Sequence, residues 1–311
     1  MEYLQFISGL IILLISGNYL VKGSVSIARS FNISTLVVGV VIVSLGTSAP
    51  EFVVSLKSAL SGDFEFSTGT VIGSNISNIG LVLGLTAFIF PILINKDSIR
   101  IDWPIMMFAS VLLCVFIIDE NIQFYEGLIF FVLLLMYIFF LLRKSNKENH
   151  NVTNTKKQNF SSILLAIIMV VFSSAGLAFG ADWLVKGGKV IATNLKISES
   201  VISLTFIALG TSLPELSTSI IAAFKKETDI SIGNIIGSNI FNIFGILGVT
   251  AIVRKIPVNE SILGFHIWWM LGISIVLFLF MIPFKKVKIN KIKGAILALI
   301  YISYWISIFI K

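Results

Sequence analysis

Charge is scarce in this sequence. Of 311 residues only 13% are Asp, Glu, Lys or Arg, whereas 56% are apolar. A soluble domain carries about 25% charged residues, so the deficit excludes a soluble globular enzyme and the apolar excess excludes disorder. Cysteine is nearly absent as well. The single Cys114 lies inside an apolar run, so neither a disulfide framework nor a thiolate metal site can form. No small-residue cleavage site follows the N-terminal apolar stretch, which runs past Tyr19 and reads as a first span, not a removable leader. The apolar runs contain no His-Glu-x-x-His and no Asp-x-Asp pair. We therefore expect no enzyme, and no cofactor beyond ions that are themselves transported.

What is present is a series of apolar runs, each near the roughly 20 residues that span a bilayer as a helix. Continuous runs such as 127–142 exclude the alternating pattern of a membrane β-barrel. The segments fall at 3–21, 34–60, 69–92, 102–118 and 124–142, then at 161–184, 198–224, 231–253, 262–283 and 294–310. The fold class expected is an all-α polytopic membrane protein with ten transmembrane helices. Residues 143–159 form a polar connector. The net charge of +7 reflects loop lysines facing the cytoplasm and not nucleic acid; the lipid bilayer is the expected surroundings.

The two halves repeat. Leu45-Gly46-Thr47-Ser48-Ala49-Pro50-Glu51 recurs 164 residues later as Leu209-Gly210-Thr211-Ser212-Leu213-Pro214-Glu215. Ile72-Gly73-Ser74-Asn75-Ile76-Ser77-Asn78 recurs at the same offset as Ile236 to Asn242. Without a gap, 20 of 42 positions from Gly46 to Ala87 are identical to their mates. The chain thus reads as a first five-helix repeat (1–142), a cytoplasmic connector (143–159) and a second five-helix repeat (160–311). An odd number of spans per repeat inverts one repeat against the other. With the N-terminus outside, sixteen of the twenty-three basic residues lie on inside loops, which is the orientation selected by the positive-inside rule. Inverted repeats are a transporter architecture, with the site near the membrane midplane.

Glu51 and Glu215 are the acids that sit mid-span, as symmetry mates; the other acidic residues read as loop or span-end groups. A carboxylate at that depth is costly, by about 2.5 kcal/mol or more, unless it faces a polar cavity or a cation. Thr47 shares a helix face with Glu51, and Ser48 is three residues before it. Pro50 and Pro214 lack an amide hydrogen, which frees the carbonyls of Gly46 and Gly210. Ser74 and Asn78, mirrored by Ser238 and Asn242, add neutral oxygens. A kinked helix with hydroxyls bonded back to its own backbone would explain one copy; two symmetric copies point to hard oxygen ligands, which suit Na+ and Ca2+ and not zinc or copper. Gly69, Gly73, Gly80, Gly84, Gly233, Gly237, Gly245 and Gly248 permit close helix packing. Trp103, Trp183, Trp268 and Trp269 read as interfacial anchors.

On these motifs the sequence resembles the Ca2+/cation antiporter superfamily, and within it the prokaryotic sodium/calcium exchangers. The resemblance implies two inverted five-helix repeats and four cation sites between helices 2, 3, 7 and 8, one for Ca2+ and the others for Na+. It implies that Glu51 and Glu215 bridge the central site, that Thr47, Ser48, Ser74, Thr211, Ser212 and Ser238 supply hydroxyls, and that the carbonyls of Ser44 and Ala208 complete outer and inner Na+ sites. Some members, potassium-dependent ones included, have Asp where this chain has Asn242. Both mirror positions here are amides, which argues against potassium co-transport. The expected function is secondary active antiport of Na+ against Ca2+ by alternating access, three Na+ per Ca2+, in the cell membrane, by a functional monomer. The alternatives are a Ca2+/H+ antiporter, which a pH-driven flux would reveal, and a cation channel, against which the duplicated inverted repeats argue.

Overall fold

The computed structural model describes residues 2–62, 64–149, 160–194, 199–282 and 287–310. Among the described residues the regular structure is helical apart from four two-residue strands. Among the described residues, eight helices are long and apolar enough to cross a bilayer. A ninth is added if the bent pair α2 (Thr35–Thr47) and α3 (Ala49–Ser61) counts as one span. The others are α1 (Glu2–Phe31), α4 (Thr68–Ile89), α5 (Ser98–Asp119), α6 (Phe124–Asn149), α7 (Phe160–Asn194), α9 (Thr228–Val253), α10 (Ile262–Met281) and α11 (Lys291–Ile310). The remaining expected segment, 198–224, coincides with the 26-residue helix α8 (Glu199–Phe224).

Two helices are longer than their apolar runs. The runs 3–21 and 161–184 end where Lys22 and Lys186 stand, but α1 and α7 continue for ten further residues each. Lysine is a good helix former, and the buried stripe of α1 carries on through Ser24, Ile27 and Ala28. The helix stops at Asn32, whose φ of 54° is the left-handed conformation that Asn tolerates just past a helix end. Thirty residues span about 45 Å, more than the hydrocarbon layer, so α1 tilts or projects from it. It packs antiparallel to α7 with almost no space between backbones. A Cβ on Gly187 would stand 2.6 Å from the Phe6 amide nitrogen.

Helix α6 continues past its apolar run and into the polar stretch, as far as Asn149. No glycine or proline interrupts that stretch. Lys144 is anchored by an ion pair with Asp97 at 2.6 Å, and the Ser145 hydroxyl accepts from the Ser34 amide at 2.8 Å. Residues 150–159 lie outside the described residues.

Contacts between the halves are reciprocal. Strand β1 (Ile92–Leu93) pairs antiparallel with β4 (Lys288–Ile289), and β2 (Asn121–Ile122) pairs antiparallel with β3 (Ile256–Pro257). Each pair takes one strand from each half. Gly84 of α4 abuts Gly294 of α11, and its mate Gly248 of α9 abuts Gly127 of α6. The largest hydrophobic cluster is likewise shared, with Ile72, Ile76 and Ile79 packed among Ile236, Ile240 and Ile243.

The long-range contacts sort the chain ends into two faces. One face gathers Ser34 with Ser145, Asp97 with Lys144, Phe90 with Phe224, and β1 with β4. The opposite face gathers Leu60 with Arg254, Glu120 with Val258, and β2 with β3.

Candidate cation site

The two repeated motifs meet at the centre of the molecule, but the proline motifs are not equal in shape. The chain breaks at Ser48 (φ −85°, ψ 6°), and α2 and α3 meet at a 48° bend. Pro50 then occupies the first turn of α3, where its missing amide hydrogen removes no helical bond. In the second half, Pro214 lies inside the unbroken α8. The sequence motif is symmetric and the backbone is not.

π-helical turns flank the site. They cover Gly39–Val43 just before Ser44, Asn78–Leu83 in α4 and Phe241–Leu247 in α9. Such turns break the regular backbone ladder and gather at functional sites. Asn78 and Asn242 each sit within the first two residues of one.

Glu51 and Glu215 are both buried, each with 1% of its surface exposed. The Ser48 hydroxyl lies 3.0 Å from Glu215 Oε1 and 3.0 Å from Ser238 Oγ. A hydroxyl has one proton, so Ser48 donates to the carboxylate and accepts from Ser238. This contact ties the first half's bend to the second half's glutamate. Beyond it, six buried side-chain oxygens of the expected ligand residues have no hydrogen-bond partner among the described residues: Glu51 Oε2, Glu215 Oε2, Ser74 Oγ, Ser212 Oγ, Asn78 Oδ1 and Asn242 Oδ1. An unsatisfied buried polar group costs about 1–3 kcal/mol. Six together would rival the whole stability of an ordinary domain, about 5–15 kcal/mol. Every one of the six can accept, and only the two hydroxyls can also donate. That donor set fits a hard cation.

The amides explain how these oxygens are aimed. Asn78 Nδ2 donates to Asn239 Oδ1 at 3.0 Å, and Asn242 Nδ2 donates to Asn75 Oδ1 at 3.0 Å. Asn75 Nδ2 and Asn239 Nδ2 each reach the other's backbone carbonyl at 3.3 Å. With its nitrogen committed across the interface, each of Asn78 and Asn242 is left presenting its oxygen. The orientation follows from the hydrogen-bond network. Asn75 and its mate Asn239, to which the sequence motif assigns no role, bridge the two halves.

Other expected ligands are differently engaged. The Thr47 hydroxyl lies 3.0 Å from Asn234 Oδ1 and 3.2 Å from the Ser44 carbonyl. That carbonyl also accepts from the Ser48 amide at 2.9 Å. A carbonyl has two lone pairs, so Ser44 O is free for a cation only when Thr47 turns to Asn234. The Ser44 hydroxyl donates back to Val40 O. Thr211 is half-buried on α8. The backbone of Ala208 belongs to α8, and its surroundings lie outside the described residues.

Two side chains depart from their sequence reading. Asp102, read as a span-end acid, lies inside α5 with 1% of its surface exposed and accepts from Tyr137 at 2.8 Å. The helix begins at Ser98 and not at the edge of the apolar run, which places Asp102 a turn deeper. Trp103, read as an interfacial anchor, donates its Nε1 to the Ser274 carbonyl at 2.9 Å and stacks on Phe278. It therefore joins α5 to α10.

Comparison with known proteins is consistent with this geometry. A family described as "Sodium/calcium exchanger protein" matches residues 1–143 and 165–310. The sodium/calcium exchanger MaX1 of Methanosarcina acetivorans is 31% identical over 346 aligned positions, covering 99% of this chain and 98% of the relative. The inner membrane protein YrbG of Escherichia coli (strain K12) is 34% identical over 254 positions, covering 79% of this chain and 78% of the relative. A solved structure of the sodium-calcium exchanger NCX_Mj superposes with a TM-score of 0.85 at 31% identity, covering 98% of both chains.

Proposed function

The chain belongs to the sodium/calcium exchanger protein family, and from that premise we propose that it exchanges Na+ for Ca2+ by alternating access. The coarse activity, antiport of a cation against Ca2+ across a membrane, is that of the family, whose members are transporters. The observation that carries the finer reading is the set of six unpartnered buried oxygens around two buried glutamates. Glu51 and Glu215 bridge Ca2+, with Ser74, Ser212 and Ser238 beside them. Neutral hydroxyl, amide and carbonyl oxygens, from Thr47, Ser48, Thr211, Asn78, Asn242, Ser44 and Ala208, suit Na+. Three Na+ exchange for one Ca2+ in each cycle.

The architecture behind this reading is ten spans, with 1–142 and 160–311 as two inverted repeats. The reciprocal strand pairs and glycine contacts support it. The protein works as a monomer in the cell membrane, with its N-terminus outside. The face that gathers Lys22, Lys96, Lys144 and Lys225 is then cytoplasmic, as the positive-inside rule requires.

Two measurements test the proposal. In proteoliposomes, an imposed Na+ gradient should drive 45Ca2+ uptake, and a pH gradient of equal size should not. Uptake that follows the pH gradient alone makes the protein a Ca2+/H+ antiporter, and single-channel currents make it a channel. For orientation, Lys96→Cys and Lys255→Cys replace exposed residues on opposite faces. An impermeant thiol reagent added to intact cells should modify only the cysteine at position 255. Labelling confined to position 96 rejects the orientation.

A further inference from the structure

Where the C-terminal part of α1 meets the turn from α8 into α9, a cavity of about 330 Å3 is lined by Lys22, Arg29, Lys225 and Glu227, with Val21 and Val25 behind them. Three cations face one carboxylate. Among the described residues neither Lys22 nor Arg29 has an ion-pair partner, and both are exposed. Lys225 Nζ donates to the Asn18 carbonyl at 3.0 Å. Burial and the neighbouring Lys22 hold its ammonium below the usual lysine range, with Glu227 opposing. Like charges are thus brought together at this end without full compensation.

The repeat provides an internal control. The mates of Lys22, Arg29 and Lys225 are Lys186, Thr193 and Ser61. There, Lys186 is paired with Asp182 at 2.8 Å, and Asp182 is the mate of Asn18. Thr193 bonds to its own helix at Lys189 O. The fold therefore does not need three basic groups at this position, since the symmetric place has two lysines, Lys186 neutralised by Asp182 and Lys189 standing where Val25 stands in the first half.

A second groove of about 280 Å3 lies deeper along α1, between α1 and α7, with Ile15 and Tyr19 on one wall and Ile168 and Phe172 on the other. Tyr19 joins it to the basic cavity, because Lys22 Nζ lies 5.4 Å from the centre of the Tyr19 ring. A cationic cavity at the end of the spans, beside an apolar groove running into them, has the shape and polarity of an amphiphile with an anionic head. We propose that this is a binding site for an anionic phospholipid, its phosphate held by Lys22, Arg29 and Lys225 and an acyl chain lying in the surface groove along α1 and α7. Basic pockets between spans on the cytoplasmic side suit such headgroups. A free phosphate would use the cavity and leave the apolar groove without an occupant, which is why the lipid is the assigned ligand.

The test is native mass spectrometry of the delipidated full chain titrated separately with phosphatidylglycerol, phosphatidylcholine and inorganic phosphate. The wild-type protein should retain phosphatidylglycerol in its tightest-bound adduct and release phosphatidylcholine. Two surface charges removed by Lys22→Gln with Arg29→Gln should weaken that adduct about thirtyfold, whereas Lys186→Gln should leave it unchanged. Both variants alter exposed side chains only. Undiminished phosphatidylglycerol binding in the double variant, or equal retention of phosphatidylcholine, overturns the site. Displacement of the lipid by millimolar inorganic phosphate makes it a free-anion site and overturns the lipid assignment.

Discussion

Replacing Glu51 or Glu215 by Gln should nearly abolish Ca2+ exchange while leaving a folded protein. Among the described residues the proposed site holds two carboxylates and no third acid, since Asn78 and Asn242 supply amides. One Ca2+ is neutralised by the pair and left half-compensated by either glutamate alone. Two charges facing one at about 4 Å, in surroundings of effective dielectric near 20, interact by about 8 kcal/mol. The smaller desolvation cost of a neutral Gln offsets part of this. A loss of at least about three decades in Ca2+ affinity remains, at 1.4 kcal/mol per decade. The fold should survive because Gln keeps the shape, and its carbonyl oxygen at position 215 can still accept from Ser48. Flux of 45Ca2+ in proteoliposomes, measured beside a thermal melt of the same preparation, separates the two effects. Wild-type flux in either variant sinks the site assignment.

The second large effect is electrical. An empty site with two ionised glutamates carries −2, and one Ca2+ brings it to zero. Three Na+, the proposed load, would leave it at +1, so one net charge would cross per cycle. An empty, doubly charged site should cross poorly, because an uncompensated charge is costly at membrane depth; that favours obligatory exchange over leak. One charge moving through 100 mV is worth about 2.3 kcal/mol, close to fiftyfold in the Ca2+ ratio reached at equilibrium. With the interior negative, Na+ entry then drives Ca2+ out. Clamping proteoliposomes at two potentials should shift the final 45Ca2+ ratio by that factor, and should do so without K+. In place of a third acid Asn242 offers one amide oxygen, and its nitrogen is already committed to Asn75. Voltage-insensitive exchange rejects the three-to-one coupling, and an absolute K+ requirement rejects the reading of Asn242.

Much of this protein was legible from its amino acids alone. Lipid imposes a simple selection, apolar side chains over about 20 residues, so membrane residence and most helix positions can be read locally. The duplication is legible because both copies kept their glutamates, prolines and amides in a common 164-residue register. The same repetition marks Glu51 and Glu215, since a pair of mid-span acids in matched surroundings has few explanations besides a cation.

What escaped the sequence depends on backbone geometry or on partners far along the chain. Apolar periodicity reports which side chains leave water; it does not report where a helix stops. Hence α1 runs to Phe31, the helix bearing Asp102 starts at Ser98, and α6 reaches Asn149. Identical Thr-Ser-x-Pro-Glu motifs gave a 48° bend at Ser48 and an unbroken α8 around Pro214, so the local motif does not by itself decide how a proline is accommodated. The π-helical turns beside Ser44, Asn78 and Asn242 have no residue signature of their own. The crossed amides Asn78 with Asn239 and Asn242 with Asn75 join positions more than 160 residues apart. Only the folded chain brings them to 3.0 Å, and only there does committing each nitrogen turn the opposite oxygen of Asn78 and Asn242 into a free acceptor.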